Sequence, residues 1–171
     1  MKIRIALTGP ESSGKTTLCK LLSEYYGCPW VSEFARDYLT ANPGNYSLSD
    51  LDYMAAQQVE RWERLTEENL VFYDTEMTVF AIWAKVKFGT VTETIHQLHA
   101  QQHIDHYFLC QPDIPWEFDP LRENPTDREA LFTRYYETLK ERQIPFTVLS
   151  GTIEERMISA QKVINALLLK H

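Results

Sequence analysis

Short apolar runs recur along the chain, separated by longer segments in which apolar residues return every three or four positions. The runs at 3–7, 30–31, 70–73, 107–110 and 146–149 are the strand candidates, brief and bounded by turn residues as strands buried on both faces are. The segments 14–26, 33–40, 48–68, 75–87, 92–103, 127–142 and 152–169 carry the helical period. In the last of them Ile153, Met157, Ala160, Ile164, Leu167 and Leu168 form one apolar stripe able to lie on a sheet. Strand and helix in alternation predict an α/β fold, a five-stranded parallel sheet with helices on both faces. The stretches 42–46 and 112–125, punctuated by proline, read as surface loops. In such wound folds ligands bind beyond the C-terminal ends of the strands, so chemistry is to be sought there.

Composition narrows the class. With 171 residues, 44% apolar and 24% charged, the chain is expected to form a single domain spanning 1–171. Seventeen basic against 24 acidic residues give a net charge of −7, which disfavours an electrostatic grip on nucleic acid or an anionic membrane. Cys19, Cys28 and Cys110 form no CxxC pair, and no apolar run reaches the length of a membrane span or secretory leader, so a cytoplasmic setting is expected.

Between the first strand and the first long helix lies Gly9-Pro10-Glu11-Ser12-Ser13-Gly14-Lys15-Thr16, a GxxxxGK[ST] phosphate loop in the context that gives the motif meaning. Glycines let the backbone curl so that its N–H groups face inward, and the helix N-terminus adds partial positive charge where phosphate oxygens would sit. Gly9, Ser12, Ser13, Gly14, Lys15, Thr16 and Thr17 are therefore the expected ATP-binding residues. Lys15 is placed at the β- and γ-phosphates and Thr16 at Mg²⁺.

Asp74 closes the apolar run before it, the usual position for a magnesium carboxylate, and is followed by threonine. That excludes the adjacent Asp-Glu pair of motor ATPases, and no Asn-Lys-x-Asp guanine-reading sequence occurs. A small kinase remains, needing a carboxylate near the hydroxyl it phosphorylates and arginines around the transferring group. Glu33 is the first candidate base, with Asp37 and Asp74 behind it; taken without Lys15, Glu33 and Asp37 are better explained by a favourable helix dipole, so their value depends on the loop upstream. Arg122 and Arg128 follow the proline-rich loop and are expected as lid arginines. Arg156 is placed to stack on adenine, although Thr152 and Glu155 beside it also spell an ordinary capping box. His96, His99 and His103 share a helical face, which reads as a polar face more readily than as a zinc site.

Gly-Pro-Glu-Ser-Ser-Gly-Lys-Thr-Thr-Leu at 9–18, Ser-Glu-Phe-Ala-Arg-Asp-Tyr-Leu at 32–39, Asp-Thr-Glu at 74–76, Ile-Trp-Ala at 82–84 and Pro-Asp-Ile-Pro-Trp-Glu-Phe-Asp-Pro-Leu-Arg at 112–122 together resemble the ribosylnicotinamide kinase domain of NadR-type proteins. The resemblance implies a P-loop kinase fold and transfer of the ATP γ-phosphate to the ribose 5′-hydroxyl of nicotinamide riboside, giving nicotinamide mononucleotide. By the same resemblance Lys15 and Thr16 handle phosphate and magnesium, and Glu33, Arg36 and Asp37 face the acceptor. Asp74 serves magnesium or the base role, and Arg122 belongs to the lid. Such a riboside carries a delocalised pyridinium charge suited to an aromatic face. Tyr73 and Phe34 are available, and the resemblance raises Trp83 and Trp116 above them as substrate contacts. Glu76 departs from the more usual aspartate of the third motif, which puts a tight substrate contact there in doubt. No His-x-Gly-His occurs, so adenylyl transfer and repression are not expected of these residues. A kinase for another small nucleoside, nucleotide or cofactor precursor, or a non-catalytic ATP- or NAD-sensing module, stays open.

Overall fold

Alternation along the central strands builds two apolar layers. In the computed structural model, which describes residues 2–121 and 126–169, strand β1 (Ile3–Thr8) sends Ile3, Ile5 and Leu7 to one face of the sheet and Ala6 to the other. Strands β2 (Trp30–Val31), β3 (Leu70–Asp74), β4 (His106–Cys110) and β5 (Phe146–Leu149) complete a parallel sheet in the order β2-β3-β1-β4-β5. Phe72 and Phe108 join the first face, while Val71, Tyr73, Tyr107 and Leu109 join the second, as the period of two requires.

Helices α1 (Lys15–Tyr26) and α7 (Ile153–Leu169) cover the first face through Leu18, Leu22, Ala160 and Ile164. The second is covered by α2 (Phe34–Ala41), α3 (Leu48–Glu63), α4 (Met77–Phe88), α5 (Glu93–Gln101) and α6 (Arg128–Glu141). Among the described residues no helix is long and apolar enough to cross a membrane.

Of the helix boundaries that differ from the sequence expectation, two have visible local reasons. The third helix stops at Glu63 rather than 68 because the buried Arg4 guanidinium donates to the carbonyls of Thr66 (2.9 Å) and Glu68 (2.8 Å), fixing a turn in place of continued helix. The fourth starts at Met77 rather than 75 because Thr75 has φ 114° and Glu76 caps the helix by accepting from the Thr78 amide at 2.6 Å. With β1 between β3 and β4, the chain leaves β1 toward one side of the sheet and later fills the other. The crevice this creates lies at the C-terminal end of β1.

Candidate active site

The loop at that crevice owes its shape to particular residues. Gly9 has φ 129°, and a Cβ there would stand 2.7 Å from the Cys110 carbonyl oxygen, so only glycine lets the chain cross the end of β4. Ser13 donates to the Pro10 carbonyl at 2.7 Å, and Gly14, at φ 81°, turns the backbone into α1. No side chain caps that helix start and no acidic residue occupies its first turn, leaving amides and positive dipole end available to an anion. Lys15 Nζ donates to the carbonyls of Gly9 (2.9 Å) and Pro10 (2.7 Å), which leaves the third ammonium proton for a ligand.

Across the crevice Thr16 donates to Asp74 Oδ2 at 2.6 Å. Asp74 is buried; burial lifts its pKa, and the Thr16 hydrogen bond and Lys15 charge oppose the rise. A hydroxyl and a carboxylate are hard oxygen donors, and a pair leaves the other positions of a magnesium ion to phosphate and water, so the residues fit that metal. Among the described residues no group of three or more His, Cys, Asp or Glu gathers into a metal cluster. Glu33, where β2 gives way to α2, has its carboxyl pushed up to about 7 by burial and then by the Asp74 charge, with Lys15 and Arg36 pulling the other way.

These groups face a cavity of about 480 Å³, within the usual range for small-molecule sites. Its polar end is the loop from Gly9 to Thr17 with Glu33 and Arg36; its apolar wall comes from α2, α4 and α6 through Leu39, Val79, Ile82, Trp83, Leu131 and Tyr135. Gly9, Ser12, Ser13, Gly14, Lys15, Thr16, Thr17, Glu33, Arg36 and Trp83 all line it, whereas Asp74 stands behind Thr16. Arg36 reaches over to Asp119 at 2.6 Å, and the Trp83 indole donates to the Tyr46 hydroxyl at 2.6 Å.

Other expected contacts lie elsewhere. Arg156 does not stack on a ligand: it is 1% exposed, donating to the carbonyls of Ser13 (2.7 Å), Gln111 (2.9 Å) and Gly151 (3.0 Å) and pairing with Asp113. It braces the loop from beneath. Asp37 turns out of the cavity to Arg61 at 2.6 Å, its side chain 62% exposed. Arg128 donates to the carbonyls of Ser12 and Ile114, both at 3.0 Å, and sits over Trp116; the pair ties the 112–116 segment to the loop and does not line the cavity. Arg122 lies outside the described residues. Tyr73 stacks on Trp62, and Phe34 carries Arg61 on its face. Glu76 is fully buried, accepting from Thr8 (2.8 Å), Thr78 and Gln102, so its extra methylene serves the join between β1 and α4 rather than a ligand. His99 leaves the polar face expected for its row and packs against Thr78 at 3.1 Å. Tyr135, Val79 and Ile82 were not foreseen; Leu131 and Tyr135 stand one helical turn apart, a spacing that marks a buried face without telling core from cavity.

A family model described as an AAA domain matches residues 4–156. The trifunctional NAD biosynthesis/regulator protein NadR of Salmonella typhimurium is 28% identical over 151 residues, covering 83% of this chain. The chain spans only 37% of that relative's length. A crystal structure of a NadR protein in complex with NR superposes with TM-score 0.78 at 20% identity, over 95% of this chain and 48% of that one. Deoxyadenosine kinase from M. mycoides, with products dCMP and dCDP bound, gives TM-score 0.71 at 14% identity, over 96% of this chain and 100% of its own. The matched residues take in the phosphate loop, Glu33, Asp74 and the helices of the cavity wall: the chain belongs to the AAA domain family and has the fold of the P-loop kinases.

Proposed function

We propose that the protein is an ATP-dependent nicotinamide riboside kinase, transferring the γ-phosphate to the ribose 5′-hydroxyl to give nicotinamide mononucleotide. The observation that carries this reading is one cavity lined by Lys15, Thr16 and Glu33 together with an apolar, aromatic wall. The resemblance to NadR supports the choice of acceptor.

In this mechanism the amides at the start of α1 and the free Lys15 proton hold the triphosphate and concentrate positive charge on the group in flight. Thr16 and Asp74 would hold Mg²⁺, which when bound would supply charge neutralisation for the triphosphate. Glu33, with a carboxyl near 7, accepts the proton of the 5′-hydroxyl as that oxygen bonds to the γ-phosphorus and the bond to the bridging oxygen breaks, releasing ADP. Arg36, which lines the cavity and pairs with Asp119, serves the acceptor side. The aromatic ring of Trp83 in the cavity wall suits an acceptor that carries a pyridinium cation. The reaction belongs to the cytoplasm, consistent with free thiols at Cys19, Cys28 and Cys110.

Likeness to deoxyadenosine kinase over the whole of that chain supports a second reading, a kinase for another nucleoside. Purified protein with ATP, Mg²⁺ and a nucleoside panel separates the two by ADP release and product mass. Preferred turnover of nicotinamide riboside is expected; preference for a deoxynucleoside overturns the acceptor assignment. Tight ATP binding without acceptor-dependent ADP points to a sensor.

A further inference from the structure

Helix α6 brings a hydroxyl into the apolar part of the cavity. Tyr135 is 5% exposed, and its ring packs in the same cluster as Tyr107, Leu131 and Leu139. Tyr46 and Tyr107, also in that cluster, have their oxygens bonded by Trp83 (2.6 Å) and Gln102 (2.7 Å). The Tyr135 hydroxyl makes no hydrogen bond among the described residues. Nor is it sealed in: Trp62 Nε1 is the buried side-chain atom left both enclosed and unpaired among those residues, whereas the Tyr135 oxygen opens on the cavity its residue lines. A hydroxyl that opens on the cavity can exchange water for a ligand's acceptor.

The surroundings say what that ligand group is. Burial and the charges of Glu76, Glu33 and Glu11 all hold the phenol protonated, so it is available as a donor. A phenol donates to a neutral oxygen without needing a charged partner, and a carboxamide head group offers one. With the reacting ribose hydroxyl assigned to the polar end beside Lys15 and Glu33, the wall formed by Trp83, Ile82, Leu131 and Tyr135 is left for a planar head group.

We propose that Tyr135 is a specificity residue for the acceptor, its hydroxyl donating a hydrogen bond to a neutral carbonyl oxygen on the planar head group, as in a carboxamide. This rests on the riboside kinase reading above. The test compares wild type and Tyr135→Phe on nicotinamide riboside and on pyridinium riboside, which lacks the carboxamide, with ATP saturating. Phenylalanine keeps the ring, and a thermal melt checks the fold. Wild type is expected to favour nicotinamide riboside. The variant is expected to lose about 3- to 10-fold in kcat/KM on that acceptor, through KM, while its KM for ATP and its turnover of pyridinium riboside hold. An equal loss on both acceptors, or none on either, overturns the assignment of Tyr135. Failure of wild type to phosphorylate either riboside overturns the acceptor reading itself, a separate outcome visible before any variant is made.

Discussion

Replacing Glu33 with glutamine separates what the residue does for turnover from what it costs the fold. Burial, reinforced by the Asp74 charge, lifts its carboxyl from an ordinary 4.5 to about 7. Between those two values the native protein keeps a proton that the unfolded chain has lost, so stability falls as pH rises through the window and stays reduced above it. The gap, at ~1.4 kcal/mol per pH unit, comes to about 3 kcal/mol. Glutamine carries no such charge. At pH 4 the two proteins are expected to melt together; at pH 8 Glu33→Gln melts higher by about 6–12 °C, taking ~2–4 °C per kcal/mol for a chain of this size. Calorimetric melts of the nucleotide-free proteins at pH 4, 6 and 8 read the difference. Acceptor-dependent turnover should fall on the order of 10²-fold or more in the variant, while in wild type it rises with pH through about 7. A melting difference that does not change with pH, or a glutamine variant with near-normal turnover, refutes the reasoning.

Gly9→Ala places a Cβ 2.7 Å from the Cys110 carbonyl oxygen at φ 129°, so the loop must shift; titration calorimetry should find ATP bound about tenfold or more weaker, and an unchanged Kd contradicts the role given to Gly9. Arg156→Met strips hydrogen bonds from the carbonyls of Ser13, Gln111 and Gly151 and leaves Asp113 without its cation, which should remove about 3–5 kcal/mol in urea unfolding; a loss below ~1 kcal/mol would show that the brace carries no weight. Asp74→Asn should raise the Mg²⁺ concentration needed for half-maximal turnover by about tenfold, measured by magnesium titration at saturating ATP, and an unshifted midpoint would remove Asp74 from the metal site.

The strands were legible because burial on both faces compresses them into short apolar runs, and 70–73 and 107–110 needed only Asp74 and His106 added at their ends. The phosphate loop was legible because its chemistry is local: residues 9 to 16 supply the curl, the lysine and the hydroxyl within one turn. What escaped depends on distant partners. Nothing near 64–68 reveals that Arg4 captures the carbonyls that would have continued α3. Arg156 reads locally as a partner for adenine or a neighbour of a capping box, yet it reaches the Ser13 and Gln111 carbonyls beneath the loop. Asp37 and Glu33 sit one turn apart at a helix start, and the position of Arg61 on α3 draws Asp37 away from the cavity. Tyr135 was hidden for the opposite reason, since its spacing with Leu131 is what any core helix shows.

The most direct measurement follows labelled γ-phosphate from ATP into product, with wild type and with Lys15→Ala, in the presence of nicotinamide riboside. Label should appear on nicotinamide mononucleotide from wild type and fall on the order of a hundredfold or more in the variant, whose melt and circular dichroism stay those of a folded protein. Label released only as inorganic phosphate, or transferred equally well without the lysine, would contradict phosphoryl transfer from this loop to a riboside held in the cavity.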